Sequence, residues 1–537
     1  MGKVRNILFI MCDQLRADYL SCMGHPTIDT PNIDALATKG VRFTQAFTQS
    51  SVCGPSRMSF YTGRYMASHG ANWNRVPLPV NIQTMGDHLR TLGARVALAG
   101  KTHMQIDEPG LERLGVDTLS PYGVLATQGG FEPYERDDGL HPDGYRKYDF
   151  TYNQWLNDQG YDGDNPWQSW CASAIDDKGD LANGWEMRHA RLPARVKEEH
   201  SETAYMTMRA QQFMEECAET APDQPWCLHL SYIKPHWPYM APAPYHDMYS
   251  ADDVPAAVRS NRERQTSHPV YAAFQQHEDS QSFSRDDVRD TVIPTYMGLV
   301  KQIDDHLGKL FSYMEESGRM DDTLIVLTAD HGDYLGDHWL GEKELFHDCV
   351  LRLPMIVYDP DAAADATRGT KDSRFVECID MVPTFYEALG GDPSDQRHWM
   401  EGHSILPLMR DGGTVDQWRD ATFSECDYSY REAREALGLG AHEAKAYCVR
   451  TADWKYILYE GFRPQLFDLT ADPDELVDLG DSESHADLRA DLHERLFSWL
   501  RQRRTRTTKS DREIEDALGN ARKMGVLIGV WEDSRVT

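Results

Sequence analysis

Five short, mostly apolar runs constrain the fold of this chain most strongly: Ile7–Cys12, Val96–Ala99, Trp226–Ile233, Leu324–Thr328 and Met355–Tyr358. Their near-continuous apolar character suits strands buried on both faces of a sheet. Helical patterns separate them. The clearest places Tyr296, Leu299, Val300, Ile303, Leu307, Leu310, Phe311 and Met314 three and four residues apart, as one stripe of a helix. Strands that alternate with amphipathic helices predict an α/β fold, a large, mixed, mostly parallel sheet sandwiched by helices. In such sheets the chemistry gathers at the carboxyl ends of the strands.

At 537 residues the chain has room for one large domain and a smaller one. Its 55 basic and 86 acidic residues give a net charge of −31, which argues against nucleic acid and anionic membranes as partners. An enzyme this acidic that handles an anion must concentrate positive charge locally. The ten cysteines form no C-x-x-C pair, the pattern of reduced thiols. The apolar stretch after Asn6 is too short for a signal peptide, and no run approaches membrane-spanning length. The expected location is cytoplasmic.

Residues 110–200 change character, being rich in Asp, Gly, Asn and Tyr and carrying Trp155, Trp167, Trp170 and Trp185. A long irregular insertion of this kind is expected to cover the active site and shape the substrate pocket. Ala446–Arg450 and Trp454–Tyr459 alternate as antiparallel strands, Gln465–Leu469 follows, and a helix is expected from about His485 to Arg501. These patterns divide the chain into a catalytic unit at 1–415, a C-terminal α+β unit at 416–504 and an arm at 505–537. The arm ends in the apolar run Met524–Trp531, and an apolar tail tends to bury itself on a neighbour. A homo-oligomer, dimer or tetramer, is the expectation.

Cys53-Gly54-Pro55-Ser56-Arg57 leads into a run with helical character. Pro55 suits a first helical turn, which puts Cys53 at a helix N-terminus, where unpaired amides favour anions. Arg57 follows one turn later on the same side. Taken alone, the cysteine could equally be a packing residue. The eleven residues Cys53–Gly63, however, resemble the signature of type I sulfatases of the alkaline phosphatase superfamily. In that family a formylglycine-generating enzyme oxidises the cysteine to formylglycine (3-oxoalanine), whose hydrate is the nucleophile.

Other segments continue the resemblance in family order. Asp13-Gln14 and Asp330-His331 follow apolar runs, where Asp is also ordinary helix-capping chemistry. By resemblance Asp13, Gln14, Asp330 and His331 are ligands of one divalent metal, with Cys53 facing the ion. Many sulfatases have Asp and Asn where this chain has Gln14 and His331; its version is closer to choline sulfatases and phosphonate monoester hydrolases. Ca²⁺ is favoured, and the softer imidazole makes Mn²⁺ the alternative. Gly100-Lys101-Thr102-His103 resembles the family's G-K-x-H motif, whose lysine and histidine contact nucleophile and sulfate; if the strand continues, Lys101 and His103 point the same way. The phosphonate hydrolase branch lacks both. His236, between Pro235 and Pro238, resembles the histidine that touches sulfate and assists the leaving group, and Lys343 matches a second sulfate-binding lysine. Asn74 stands where that branch makes nucleophile or substrate contacts.

The resemblance implies hydrolysis of an aryl sulfate or related small sulfate ester. Lys101, Lys343, His236 and the metal would stabilise charge on the equatorial oxygens. Asp330 would accept the nucleophile's proton, and Lys343 or His236 would protonate the leaving alcohol. His103 would then deprotonate the second hydroxyl, releasing sulfate without another attack at sulfur. Phosphonate monoester or phosphodiester hydrolysis on the same site is the alternative, and a binding module that never turns over is the non-enzymatic one. The tryptophans of the insertion suit an aryl group or a quaternary ammonium, and suit core packing equally well.

Overall fold

The computed structural model describes residues 4–145, 150–265, 267–529 and 531. Eight strands form the main sheet: β1 (Asn6–Asp13), β2 (Val41–Phe43), β3 (Arg95–Gly100), β4 (Glu132–Arg136), β5 (Trp226–Pro235), β6 (Thr323–Ala329), β7 (Met355–Tyr358) and β8 (Lys371–Asp372). Their order across the sheet is β8-β2-β7-β6-β1-β5-β3-β4. β6, β1, β5, β3 and β4 run parallel, and β7 is antiparallel to both of its neighbours. All five apolar runs lie in this one sheet. β1 and β5 are buried along their whole length, the burial that their continuous apolar sequences require.

Among the described residues four α-helices reach ten residues or more: α1 (Cys53–Thr62), α2 (Glu202–Thr220), α3 (Asp286–Glu316) and α4 (Ala486–Arg501). All eight stripe residues of α3 are buried. Residues 110–200 are less irregular than their composition suggests, because β4 within them joins the main sheet as an edge strand. Its sequence, Glu-Pro-Tyr-Glu-Arg, hides it: a proline and three charges suit an edge, where neither a full ladder nor two apolar neighbours is needed. Three of the four tryptophans serve packing there. Trp155 lies 4.9 Å from the Tyr205 ring, Trp167 is buried, and Trp170 carries Arg195 4.0 Å above it.

A second sheet, antiparallel and consecutive, comprises β9 (Ala421–Asp427), β10 (Lys445–Thr451), β11 (Trp454–Tyr459) and β12 (Gln465–Asp468). Trp499 of α4 stacks on Phe423 of β9 with ring centroids 4.7 Å apart and meets Tyr65 edge-on at 4.9 Å. Lys455 on β11, fully buried, donates to the Phe346 carbonyl and to Asp348, both at 2.7 Å. That ion pair ties the small sheet to the loop that carries Lys343. Beyond α4, Leu518, Met524, Ile528 and Trp531 are each more than 75% exposed. Among the described residues no helix is long and apolar enough to cross a membrane.

Candidate active site

The carboxyl ends of four adjacent strands, β6, β1, β5 and β3, converge on one point. β1 ends in Asp13, with Gln14 next; Asp330 and His331 follow β6; Lys101 follows β3; His236 follows β5. Helix α1 begins at Cys53 and is buried throughout, so its N-terminus abuts these strand ends. A Cβ on Gly54 would lie 2.9 Å from Asn74 Oδ1 and 3.0 Å from Asn74 Cα and push Asn74 away, and Asn74 Oδ1 accepts the Gly54 N–H at 2.8 Å. Asn74 thus holds the amide next to Cys53. Ser56 Oγ donates to the Asp330 carbonyl at 2.6 Å, pinning the helix to β6.

Asp13, Cys53, Asp330 and His331 offer ligand atoms that all lie within 4.8 Å of one another. His331 Nδ1 donates to the Gly332 carbonyl at 2.7 Å, which turns Nε2 toward Cys53 Sγ, 3.0 Å away. Arg57 is fully buried behind the carboxylates. It donates to Asp330 Oδ2 at 2.8 Å, Asp13 Oδ2 at 3.3 Å, Ser231 Oγ at 2.8 Å and the Lys101 carbonyl at 3.0 Å. Those bonds commit four of the five guanidinium N–H groups of a side chain that is itself fully buried. Asp13 Oδ1, buried among these groups, has no hydrogen-bond partner among the described residues. An orphaned carboxylate oxygen facing a second carboxylate and an imidazole fits a divalent cation.

Two cations and two neutral histidines surround the cluster. Lys101 Nζ contacts Asp13 Oδ2. Burial alone would raise the Asp13 pKa, yet the positive charges of Lys101 and Arg57 hold it well below the usual carboxylate range. Lys343 Nζ donates to Gln14 Oε1 at 2.8 Å and lies 3.4 Å from His236 Nε2. Burial opposes its charge, but Cys53, Glu342 and Asp13 outweigh burial and hold the ammonium well above its ordinary pKa. His236 Nδ1 donates to the Trp237 carbonyl at 2.8 Å, leaving Nε2 an acceptor aimed at Lys343. Burial, with Lys343 and Lys101 adding to it, keeps that ring neutral.

His103 departs from the sequence expectation. β3 ends at Gly100 and His103 has φ 54°, so the strand does not continue and the alternation argument for a shared face fails. The physical cause is Asp138, whose carboxylate accepts the N–H groups of both Thr102 and His103 and turns the chain. Burial and Lys101 keep the ring neutral, and its Nδ1 has no hydrogen-bond partner among the described residues.

A sequence profile described as Sulfatase matches residues 5–391, and one described as N-sulphoglucosamine sulphohydrolase, C-terminal, matches residues 336–502. The chain belongs to the sulfatase family. It is a hydrolase with the alkaline phosphatase-like fold. It is 30% identical, over 94% of its own length and 96% of the relative's, to the multifunctional alkaline phosphatase superfamily protein PehA of Trinickia caryophylli. A choline-sulfatase of Rhizobium meliloti is 26% identical over 89% of this chain and 82% of that one. Among solved structures, the phosphonate monoester hydrolase of Agrobacterium radiobacter superimposes with a TM-score of 0.79 at 28% identity, covering 93% of this chain and 96% of that one.

Beside the cluster of this sulfatase-family chain opens a cavity of about 600 Å³. Trp185 and Trp237 form one wall, with ring centroids 5.8 Å apart and planes at 61°. Trp237 adjoins His236, and Glu342, also in the lining, adjoins Lys343. Glu278, Asp279 and Glu432 complete an acidic rim in which Arg431 pairs with Asp279 at 3.1 Å. Of the insertion's four tryptophans only Trp185 is in this lining; its partner comes from the His236 loop. Sequence reasoning assigned no role to Asp333 or Tyr296, which hold Gln14, or to Tyr239, which donates to Asp333. Asp333 was visible in the Asp-His-Gly-Asp run, whereas Tyr296 looked like any other member of its apolar stripe.

Proposed function

We propose that this chain hydrolyses sulfate monoesters of an aryl or similarly small alcohol to the alcohol and inorganic sulfate. The observation that carries the reading is the pair of buried lysines, Lys101 and Lys343, flanking the Cys53 cluster inside a strongly acidic protein. Fixed cations there meet the charge spread over equatorial oxygens in the transition state.

Asp13, Gln14, Asp330 and His331, with Cys53 as formylglycine, would hold one divalent ion, Ca²⁺ favoured by the oxygens and Mn²⁺ by the imidazole. Bound there, such an ion acidifies a hydroxyl and neutralises charge on the sulfate. Asp330 Oδ1 takes two backbone N–H bonds, from Gln14 and His331, while Oδ2 takes one from Arg57 and keeps a lone pair for the nucleophile's proton. Lys343 supplies the proton to the leaving alcohol, and the neutral His236, whose Nε2 faces the ammonium as an acceptor, orients that donor. An aldehyde lets captured sulfate depart without a second attack at sulfur, and His103, neutral and with a free Nδ1, is the base for that release. The aromatic, acidic cavity takes the leaving group and favours neutral or cationic alcohols over polyanions.

Phosphonate monoester or phosphodiester hydrolysis is the second reading, favoured by the TM-score of 0.79 to a phosphonate monoester hydrolase. The deciding experiment compares kcat/KM for an aryl sulfate and the matching aryl phosphonate. Sulfate preference supports the first reading, and a phosphonate preference of several orders overturns it. The same assay on a trimethylammonioethyl sulfate and its neutral carbon isostere reads the cavity, and equal values would remove charge from its role.

Maturation by a formylglycine-generating enzyme is part of the proposal, as is a cytoplasmic location, supported by ten cysteines that are all free. We also propose that the arm at 505–537 mediates homo-oligomerisation. Truncation after Arg504 is expected to lower the mass read by light scattering to that of one chain; an unchanged oligomer would remove the arm from the interface.

A further inference from the structure

Gln14 is held at four points. Its backbone has φ 63°, its N–H donates to Asp330 Oδ1 at 3.0 Å, and its carbonyl accepts the Tyr296 hydroxyl at 2.8 Å. Its side chain spans two groups of opposite character: Nε2 donates to Asp333 Oδ2, and Oε1 accepts from Lys343 Nζ. Asp333 has no solvent exposure. Its Oδ1 takes the Leu335 N–H at 2.9 Å, and its Oδ2 also takes the Tyr239 hydroxyl at 3.2 Å.

A glutamine amide is nearly symmetric in shape, so packing alone cannot decide which end faces which way; the hydrogen-bond network must. Here one flank is an acceptor-only carboxylate and the other a donor-only ammonium. Turned over, Gln14 would set oxygen against carboxylate and NH₂ against Lys343, breaking two buried bonds and creating two repulsions. On the reading of Gln14 as a metal ligand, the flip would also offer NH₂ where a cation can use only an oxygen.

We propose that Asp333 is a positioning residue that fixes the amide polarity of Gln14, so that Gln14 presents oxygen to the metal and to Lys343. The inference rests on the reading of Gln14 as a metal ligand. It extends that reading to a group that itself contacts neither metal nor substrate.

The test is calcium binding by titration calorimetry on the full chain after chelation, with manganese in parallel. Asp333→Asn preserves shape but can offer either end of its own amide, so the constraint is lost. It is expected to weaken the metal about 10- to 100-fold, the usual cost of losing a group that orients a ligand. The pair Gln14→Glu with Asp333→Asn restores complementarity in reverse: the amide introduced at position 333 donates its NH₂, and the carboxylate introduced at position 14 turns its other oxygen to Lys343 and the cation. That double variant is expected to bind at least as tightly as the wild type. A general packing defect would instead persist in it. Wild-type affinity in Asp333→Asn overturns the inference, as does a double variant as weak as the single one. Should Asp333→Asn fail to fold, the double variant carries the test alone: binding supports the inference and loss of binding overturns it. A wild-type chain that binds neither cation would overturn the ligand reading and the inference with it.

Discussion

Cys53→Ser is expected to leave a folded chain that cannot turn over. The replacement is nearly isosteric at the first residue of α1, and the bonds that seat the helix come from Gly54, Ser56 and Arg57, none of which it disturbs. Serine keeps a hydroxyl between Asp13, Asp330 and His331, so it can still attack. What it lacks is the second hydroxyl of an aldehyde hydrate, and with it the route by which a captured sulfate departs through collapse to the aldehyde. Alcohol release should therefore stop at or below one equivalent per chain, with the sulfated adduct visible in the intact mass. Steady multiple turnover by this variant would contradict the mechanism, since an ordinary ester at that position has no internal means of cleavage.

Lys343→Ala is expected to lower kcat/KM by about 10²- to 10⁴-fold, the usual scale for removing a general acid. The size of the loss should depend on the leaving group. A nitrophenolate departs without help, whereas an alkoxide needs a proton, so an alkyl sulfate should lose far more activity than a nitrophenyl sulfate. The geometry favours Lys343 over His236 as the proton source. Lys343 presents ammonium N–H groups to Gln14 Oε1 and toward His236 Nε2, whereas His236 has its only N–H committed to the Trp237 carbonyl. Equal losses on both substrates would reduce Lys343 to a fixed charge. A larger leaving-group effect in His236→Ala would exchange the two roles.

The main sheet was legible because burial on both faces demands continuous apolar sequence, and five runs met that demand. The strands it missed are those with other constraints: β4 at the edge carries Glu, Pro and Arg, and β2 and β8 have only three and two residues. The site was legible for a different reason. Its chemistry requires fixed residue types at strand ends, so Asp13, Lys101, His236 and Asp330 kept their order along the chain and met in space. What sequence could not show is orientation. Periodicity put Lys101 and His103 on one face, but the Asp138 carboxylate bends the chain between strand and histidine. Composition left the four tryptophans of the insertion divided between pocket and packing; Trp185 lines the pocket, joined by Trp237 from the His236 loop. The partners of Gln14 come from separated segments, Tyr296, Asp333 and Lys343, and a linear pattern carries no signal for such a convergence.

The mechanism stands or falls on the chemical state of residue 53. Trypsin releases it in the peptide Phe43–Arg57, which contains no other cysteine. The direct measurement is the mass of that peptide from protein purified out of its native host, with and without an aldehyde-reactive hydrazide. The expected result is that thiol is replaced by aldehyde and that the hydrazide adds to this peptide alone. A peptide that carries an intact, alkylatable thiol in catalytically active protein would contradict it.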